Sequence, residues 1–229
     1  MNSIARCAAY GGAAALLAFA VVGPAFDRLA DRSFAWHMVQ HLALMDGVAL
    51  LLVLARPFDL YARLAGKSAT ATLVTATRPL HALASPAFAL VLFIAVLWGT
   101  HFSALYEAAL KSQWVHAGEH ALYLGAGIVF WLPVVAPPPL RPLPYPARLF
   151  YLAVALPQGA LLGMAIFSAR QPLYAHYVAV TGSVSAALAD QHDAAAVMWI
   201  GGGLVVLAAL LATLALWANR ELRASEHVL

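Results

Sequence analysis

Apolar residues run along this chain in long blocks parted by charges and turn residues. Six blocks stand out: Cys7 to Phe26, His37 to Ala55, Pro86 to Thr100, His116 to Val135, Leu149 to Ala169 and Ala194 to Ala218. No block alternates apolar and polar positions with the period of a half-buried strand. A helix needs roughly 20 apolar residues to cross a bilayer, and in hydrocarbon only helices and closed barrels satisfy their backbone. The pattern predicts an all-α, polytopic transmembrane helical bundle of about six spans, folded as one domain over residues 1–229. Asp46 interrupts the second block, and Glu119 lies in the first turn of the fourth. The first block, preceded by Arg6, has the look of a secretory signal. It is expected to be a retained span and not a removed peptide.

Composition agrees with that pattern. The chain is 63% hydrophobic and 10% charged, against about 25% charged residues in soluble domains. Too few charges remain to cover a soluble protein of this size. The net charge of +3 arises from basic residues in the connections, which fits membrane topology and not nucleic-acid binding. Nine of the 13 Lys and Arg residues fall on one set of connections: Arg6, Arg56, Arg63, Lys67, Arg78, Arg141, Arg148, Arg220 and Arg223. The positive-inside rule places that set, and with it both termini, in the cytoplasm. The proline-rich "APPPLRPLPYP" from Ala136 to Pro146 is then a stiff cytoplasmic linker.

Cys7 is the only cysteine, so no intrachain disulfide forms and no CxxC exists. Nine histidines contrast with that scarcity. His37 and His41 open the second span, His101 closes the third, and His116 and His120 open the fourth. His176 and His192 fall in the last outer loop. By the charge-derived orientation these seven share the outer face, whereas His81 and His227 lie on the cytoplasmic side.

Residues i and i+4 share a helix face. His37 therefore points with His41, and His116 with His120, with Glu119 adjacent. Two such helices facing each other offer four imidazoles to one small volume, and His101 can cap it. The expected metal ligands are His37, His41, His101, His116 and His120. Met45, Glu119, Asp190, His192 and Met198 are candidate supporting residues. On an α-helix, His37, His41 and Met45 fall within an arc of about 80°, with Met38 about 20° further round. Imidazole with thioether favours copper, especially Cu(I), although imidazole also suits zinc. A methionine on an apolar helix is also ordinary core packing. Asp46 falls on the opposite side from His37 and reads as a buried carboxylate of the bundle.

Other chemistries compete. "HAGEH" (His116 to His120) matches H-x-x-E-H, in which two histidines hold zinc and the glutamate activates water. Asp190 or His192 would then supply a third ligand to a membrane zinc hydrolase. That chemistry does not require His37, His41 or His101. A haem protein with two axial histidines leaves most of the cluster without a role. A transporter passing copper across the bilayer needs ligands along its path, where only His81 and Asp46 hint at a route.

Five blocks resemble, in order, the multi-spanning CtaG-type cytochrome c oxidase assembly factors. They are "HMVQHLALM" (His37 to Met45), "RPLHALASP" (Arg78 to Pro86), "LWGTHFSALYEAAL" (Leu97 to Leu110), "VHAGEHALYLGAGIVFW" (Val115 to Trp131) and "DQHDAAAVMW" (Asp190 to Trp199). The resemblance implies a non-enzymatic, multi-pass protein of the bacterial inner membrane that assists assembly of a haem–copper oxidase. It implies copper as cargo, with membrane lipid, an oxidase subunit and a periplasmic copper donor as partners. The family's histidine blocks match His37, His41, His101, His116 and His120, and its Asp-Gln pair matches Asp190 and Gln191. The chain departs in having Ala49 and Leu50 where two prolines are expected midway along the second span. It also has Asp46, and "HDAAA" after the Asp-Gln pair.

Overall fold

The computed structural model describes residues 3–18, 24–56, 66, 75, 85–137, 140 and 143–226. His81, His227 and most of the block from Arg78 to Pro86 lie outside the described residues. All regular structure among those described is helical. The elements are α1 (Ser3–Leu17), α2 (Pro24–Ala30), α3 (Phe34–Leu42), a π-helical turn (Ala43–Val48), α4 (Ala49–Ala55), α5 (Pro86–His101), α6 (Ala104–Lys111), α7 (Gln113–Val135), α8 (Tyr145–Phe167), α9 (Ala175–Thr181) and α10 (Val184–Glu226).

Four of these helices are long and apolar enough to cross a membrane: the continuous run Phe34–Ala55, then α7, α8 and α10. The pair α5 and α6, bent by 66°, makes a fifth if it counts as one broken span. The described apolar part of the first block is Cys7–Leu17, shorter than a span. The protein is thus a multi-pass helical membrane protein with four or five such helices among the described residues.

Local chemistry sets the breaks. Ser85 accepts a hydrogen bond from the Phe88 amide at 3.4 Å, and Pro86 follows at the first helical position of α5. At the bend, Ser103 is extended, and its hydroxyl accepts from the Leu105 amide at 3.2 Å to restart the chain as α6. Gly182, at φ 65°, closes α9 in the left-handed conformation. Where the resemblance predicts prolines, Ala49 and Leu50 continue as α4, and the irregularity falls one turn earlier in the π turn.

The second span packs tightly on α7. Gly127 leaves room for the Met45 carbonyl, which a β-carbon at 127 would overlap. A second close pair joins α8 to α10. Gly159 and Gly163 face the carbonyls of Met198 and Ala195, which would lie 2.9 and 2.6 Å from added β-carbons. Small residues at membrane helix contacts let backbones approach in this way. Phe93, Phe130 and Tyr151 stack between α5, α7 and α8, at 4.2 and 5.2 Å between ring centroids. The Tyr151 hydroxyl donates to the Phe130 carbonyl at 2.9 Å. Val91, Phe150, Leu204, Leu211 and Leu216 are exposed, as lipid-facing side chains would be. At 1.5 Å per residue α10 is about 65 Å long, more than twice the roughly 30 Å of hydrocarbon, so it extends well past a bilayer core.

Candidate metal centre

Helices α3 and α7 each present a histidine pair to the same small volume. Within a helix the rings lie 4.4 Å apart for His37 and His41, and 4.0 Å for His116 and His120, centroid to centroid. Across the helices His37 lies 4.9 Å from His116 and 6.3 Å from His120, and His41 lies 5.6 Å from His120. One nitrogen from each of the four rings falls within 4.8 Å of all the others. His37, His41 and His120 are buried and His116 partly so. Nε2 of His37, His116 and His120, and both ring nitrogens of His41, have no hydrogen-bond partner. Buried polar atoms are nearly always hydrogen-bonded. Converging imidazole nitrogens left unpartnered therefore fit a cation ligand set.

The histidines of α3 are positioned by a distant helix. Ser33 caps α3 in an extended conformation, its hydroxyl accepting from the Trp36 amide. The Asp190 carboxylate, on α10, accepts from the Ser33 hydroxyl at 2.7 Å and from the Phe34 and Ala35 amides at 2.5 and 3.4 Å. A carboxylate at this terminus satisfies free amides and meets the positive end of the helix dipole. Neighbouring Gln191 is buried; its side-chain oxygen accepts from the Leu173 amide at 2.7 Å and its nitrogen donates to the Ile166 carbonyl at 3.2 Å. The Asp-Gln pair acts as a clasp between segments.

Other expected residues take different places. His101 is buried beside the cluster, its ring 6.0 Å from that of His41, and Nδ1 lies 2.7 Å from the Leu97 carbonyl. Its Nε2 faces Met38 Sδ at 3.2 Å. Glu119 is buried, with one carboxylate oxygen 3.7 Å from His41 Nε2 and no hydrogen bond to either oxygen. Met45 lies in the π turn. Its extra residue per turn changes the angular step, so the α-helical arc that grouped Met45 with His37 and His41 ends at Leu42. Asp46 is buried in the same turn, and its Oδ1 has no hydrogen-bond partner. Met198 is buried on α10 with its carbonyl at Gly159. Asp190 and His192 lie within α10 and not in a loop, and the His192 ring packs on Phe167 at 4.4 Å. His176, on α9, donates from Nε2 to the Asp31 carbonyl at 2.8 Å.

Sequence reasoning missed the tyrosines around the imidazoles. Tyr106 lies 5.1 Å from His37 and 5.6 Å from His101 between ring centroids, and Tyr123 lies 4.2 Å from His41. The Tyr177 hydroxyl lies 3.0 Å from His37 Nδ1, and Tyr174 stacks on Tyr106 at 4.1 Å. Tyr174 and Tyr177 flank His176 outside the recognisable blocks, where no i, i+4 histidine pair flags them. Tyr106 and Tyr123 fall inside two of the five recognisable blocks, Tyr123 three residues after His120.

The family described as cytochrome c oxidase caa3 assembly factor (Caa3_CtaG) matches residues 2–220. Uncharacterised proteins of Mycobacterium bovis and Mycobacterium tuberculosis are each 27% identical over 206 residues, covering 85% of this chain and 31% of the relative. One from Mycobacterium leprae is 27% identical over 202 residues, covering 83% of this chain and 31% of the relative. The chain thus spans under a third of the length of these curated relatives. No solved structure matches it. A match running from before α1 into the C-terminal part of α10, and spanning the four clustered histidines and His101, shows that the chain belongs to the cytochrome c oxidase caa3 assembly factor (CtaG) family.

Proposed function

We propose that the protein holds copper, as cargo, between α3 and α7 and delivers it during assembly of a haem–copper cytochrome c oxidase. The observation that supports this reading is the convergence of four imidazoles, with ligand atoms within 4.8 Å of one another. Their spread favours exchange. Bonds of about 2.0 Å would set tetrahedral ligands only about 3.3 Å apart. Four nitrogens spread up to 4.8 Å must draw inward to close on one ion, and an ion held by two or three of them leaves easily. A cargo site must release its metal; a structural cage must not.

The proposed orientation puts the cluster at the periplasmic face of the bacterial inner membrane, both termini in the cytoplasm, and six spans in all. The proposed partners are membrane lipid, an oxidase subunit and a periplasmic copper donor. Cu(I) is the favoured state, since neutral imidazole and thioether suit a soft ion.

A zinc hydrolase finds one supporting observation, Glu119 beside His41 at 3.7 Å. A catalytic zinc keeps one coordination position open for water. Here His37 and His41 share one small volume with His116 and His120, and a hydrolase built on the H-x-x-E-H pair gives them no role, so it is the weaker reading.

The deciding experiment is a deletion strain grown under copper limitation. Its oxidase should contain haem but little copper and little activity, and added copper should restore part of that activity. A His116→Ala, His120→Ala variant that inserts normally should fail to complement. Fully metallated oxidase in the deletion strain, or full complementation by the variant, would overturn the reading. Copper sensitivity without an oxidase defect would favour transport or tolerance.

A further inference from the structure

Beside the four imidazoles, a thioether and an imidazole face each other without a proton between them. His101 Nε2 lies 3.2 Å from Met38 Sδ, and both side chains are buried. The proton positions follow from the neighbours of Nδ1. The Leu97 carbonyl, 2.7 Å away, can only accept, so Nδ1 carries a hydrogen. Thr100 donates its own proton to the Val96 carbonyl at 2.8 Å. The Tyr123 hydroxyl, in contact with Thr100 Oγ1, is then free to donate to it. No proton from these groups is needed at Nε2, and the neutral ring presents a lone pair there. A thioether sulfur has lone pairs and no hydrogen.

Two lone-pair donors held this close are a ligand pair. With bonds of about 2.0 Å to nitrogen and 2.3 Å to sulfur, donors 3.2 Å apart subtend roughly 95° at a shared ion, and opening them by about 0.3 Å reaches the tetrahedral angle. A third ligand stands beside them. His41 has both ring nitrogens without hydrogen-bond partners, and its ring lies 6.0 Å from that of His101 and 4.4 Å from that of His37.

We propose that Met38 and His101 form a second, sulfur-containing site selective for a soft monovalent ion such as Cu(I), with His41 shared between it and the four-imidazole cluster. This rests on the reading of the cluster as a copper-holding site. The two stations differ in chemistry. Imidazole sites take divalent ions such as Cu(II), Zn(II) and Co(II) as well as Cu(I), whereas a thioether favours Cu(I). An ion passing by way of His41 is therefore sorted by softness.

The test uses the full chain purified in detergent, in a Cys7→Ser background so that the one thiol contributes no sulfur. Cu(I) is supplied anaerobically and its ligands are read by X-ray absorption; Co(II) is supplied separately and read by its visible spectrum. The parent should show a sulfur shell around copper. Met38→Leu, which conserves volume, should lose that shell and keep the Co(II) spectrum. His101→Gln should lose it too, by an independent change. Absence of sulfur in the parent, or its persistence in both variants, overturns the second site. A Co(II) spectrum unaltered by joint His37→Ala and His116→Ala overturns the four-imidazole reading instead. The second site then stands or falls on the sulfur lost in Met38→Leu.

Discussion

The Tyr177 hydroxyl lies 3.0 Å from Nδ1 of His37 and decides which nitrogen of that ring is left free. Tyr177 also reaches the Ala30 carbonyl at 3.4 Å, which can only accept. Its proton goes there, its oxygen accepts from His37 Nδ1–H, and His37 Nε2 is left as the ligand atom. Burial pushes the Tyr177 phenol well above its ordinary range, so it stays neutral at physiological pH. Partners of this kind fix the tautomer and orientation of metal-binding histidines. Tyr177→Phe should weaken metal affinity by about 10- to 100-fold with helix content unchanged. Competition titration with a chelator of known affinity checks this, and an unchanged affinity would remove Tyr177 from the site.

Asp190 tests whether the site depends on a distant clasp. Its carboxylate caps α3 one turn before His37 and joins α10 to the second span. Asp190→Ala should cost about 1–2 kcal/mol, the range for a lost cap with its dipole interaction. Asp190→Asn, which keeps one acceptor oxygen, should cost less. Thermal unfolding in detergent orders the variants, and metal content should fall in the same order. A direct ligand would behave differently, losing metal without losing stability.

The fold class was legible because hydrophobic blocks and scarce charges admit little else. The two histidine pairs were legible for a local reason: i and i+4 spacing fixes a shared face whatever the helix packs against. How distant segments meet is information that spacing does not carry. Asp190 meets Ser33 across 157 positions of sequence, so no local spacing reveals that it caps α3. Met45 left the histidine arc because six residues, Ala43 to Val48, wind as a π turn. His192 follows Asp190 in sequence, yet α-helical geometry turns it about 200° away, onto Phe167. His101 was recognised as part of the group, but its pairing with Met38 depends on how α5 docks against α3.

Gly127 should be the most sensitive glycine of the site's scaffold. A β-carbon there would overlap the Met45 carbonyl, which is backbone and cannot swing aside as a side chain can. Gly127→Ala should destabilise by about 1–3 kcal/mol through overpacking and should splay α7 from the second span, lowering metal content. Gly125, on the same helix, has nothing within 4 Å of an added β-carbon. Gly125→Ala should be neutral or stabilising by up to about 1 kcal/mol, as alanine replaces glycine in a helix. Unfolding measured on the pair separates packing from propensity. Equal effects would contradict the close contact.

The orientation can be tested without reference to metal. Nine of the 13 basic residues lie on one set of connections, and the positive-inside rule assigns that set to the cytoplasm. Ser112, between α6 and α7, stands next to the histidine end of α7. Leu140 lies past the other end of the same helix. α7 has 23 residues and so rises about 35 Å, enough to put the two positions on opposite sides of a bilayer. Single cysteines at Ser112 and Leu140, in a Cys7→Ser background, should then react from opposite sides. An impermeant thiol reagent applied to intact spheroplasts should label position 112 and reach position 140 only after the membrane is opened. The reverse pattern would turn the histidine cluster to the cytoplasm, and the copper would then have to come from a cytoplasmic donor. Labelling of both from outside would mean that α7 does not cross.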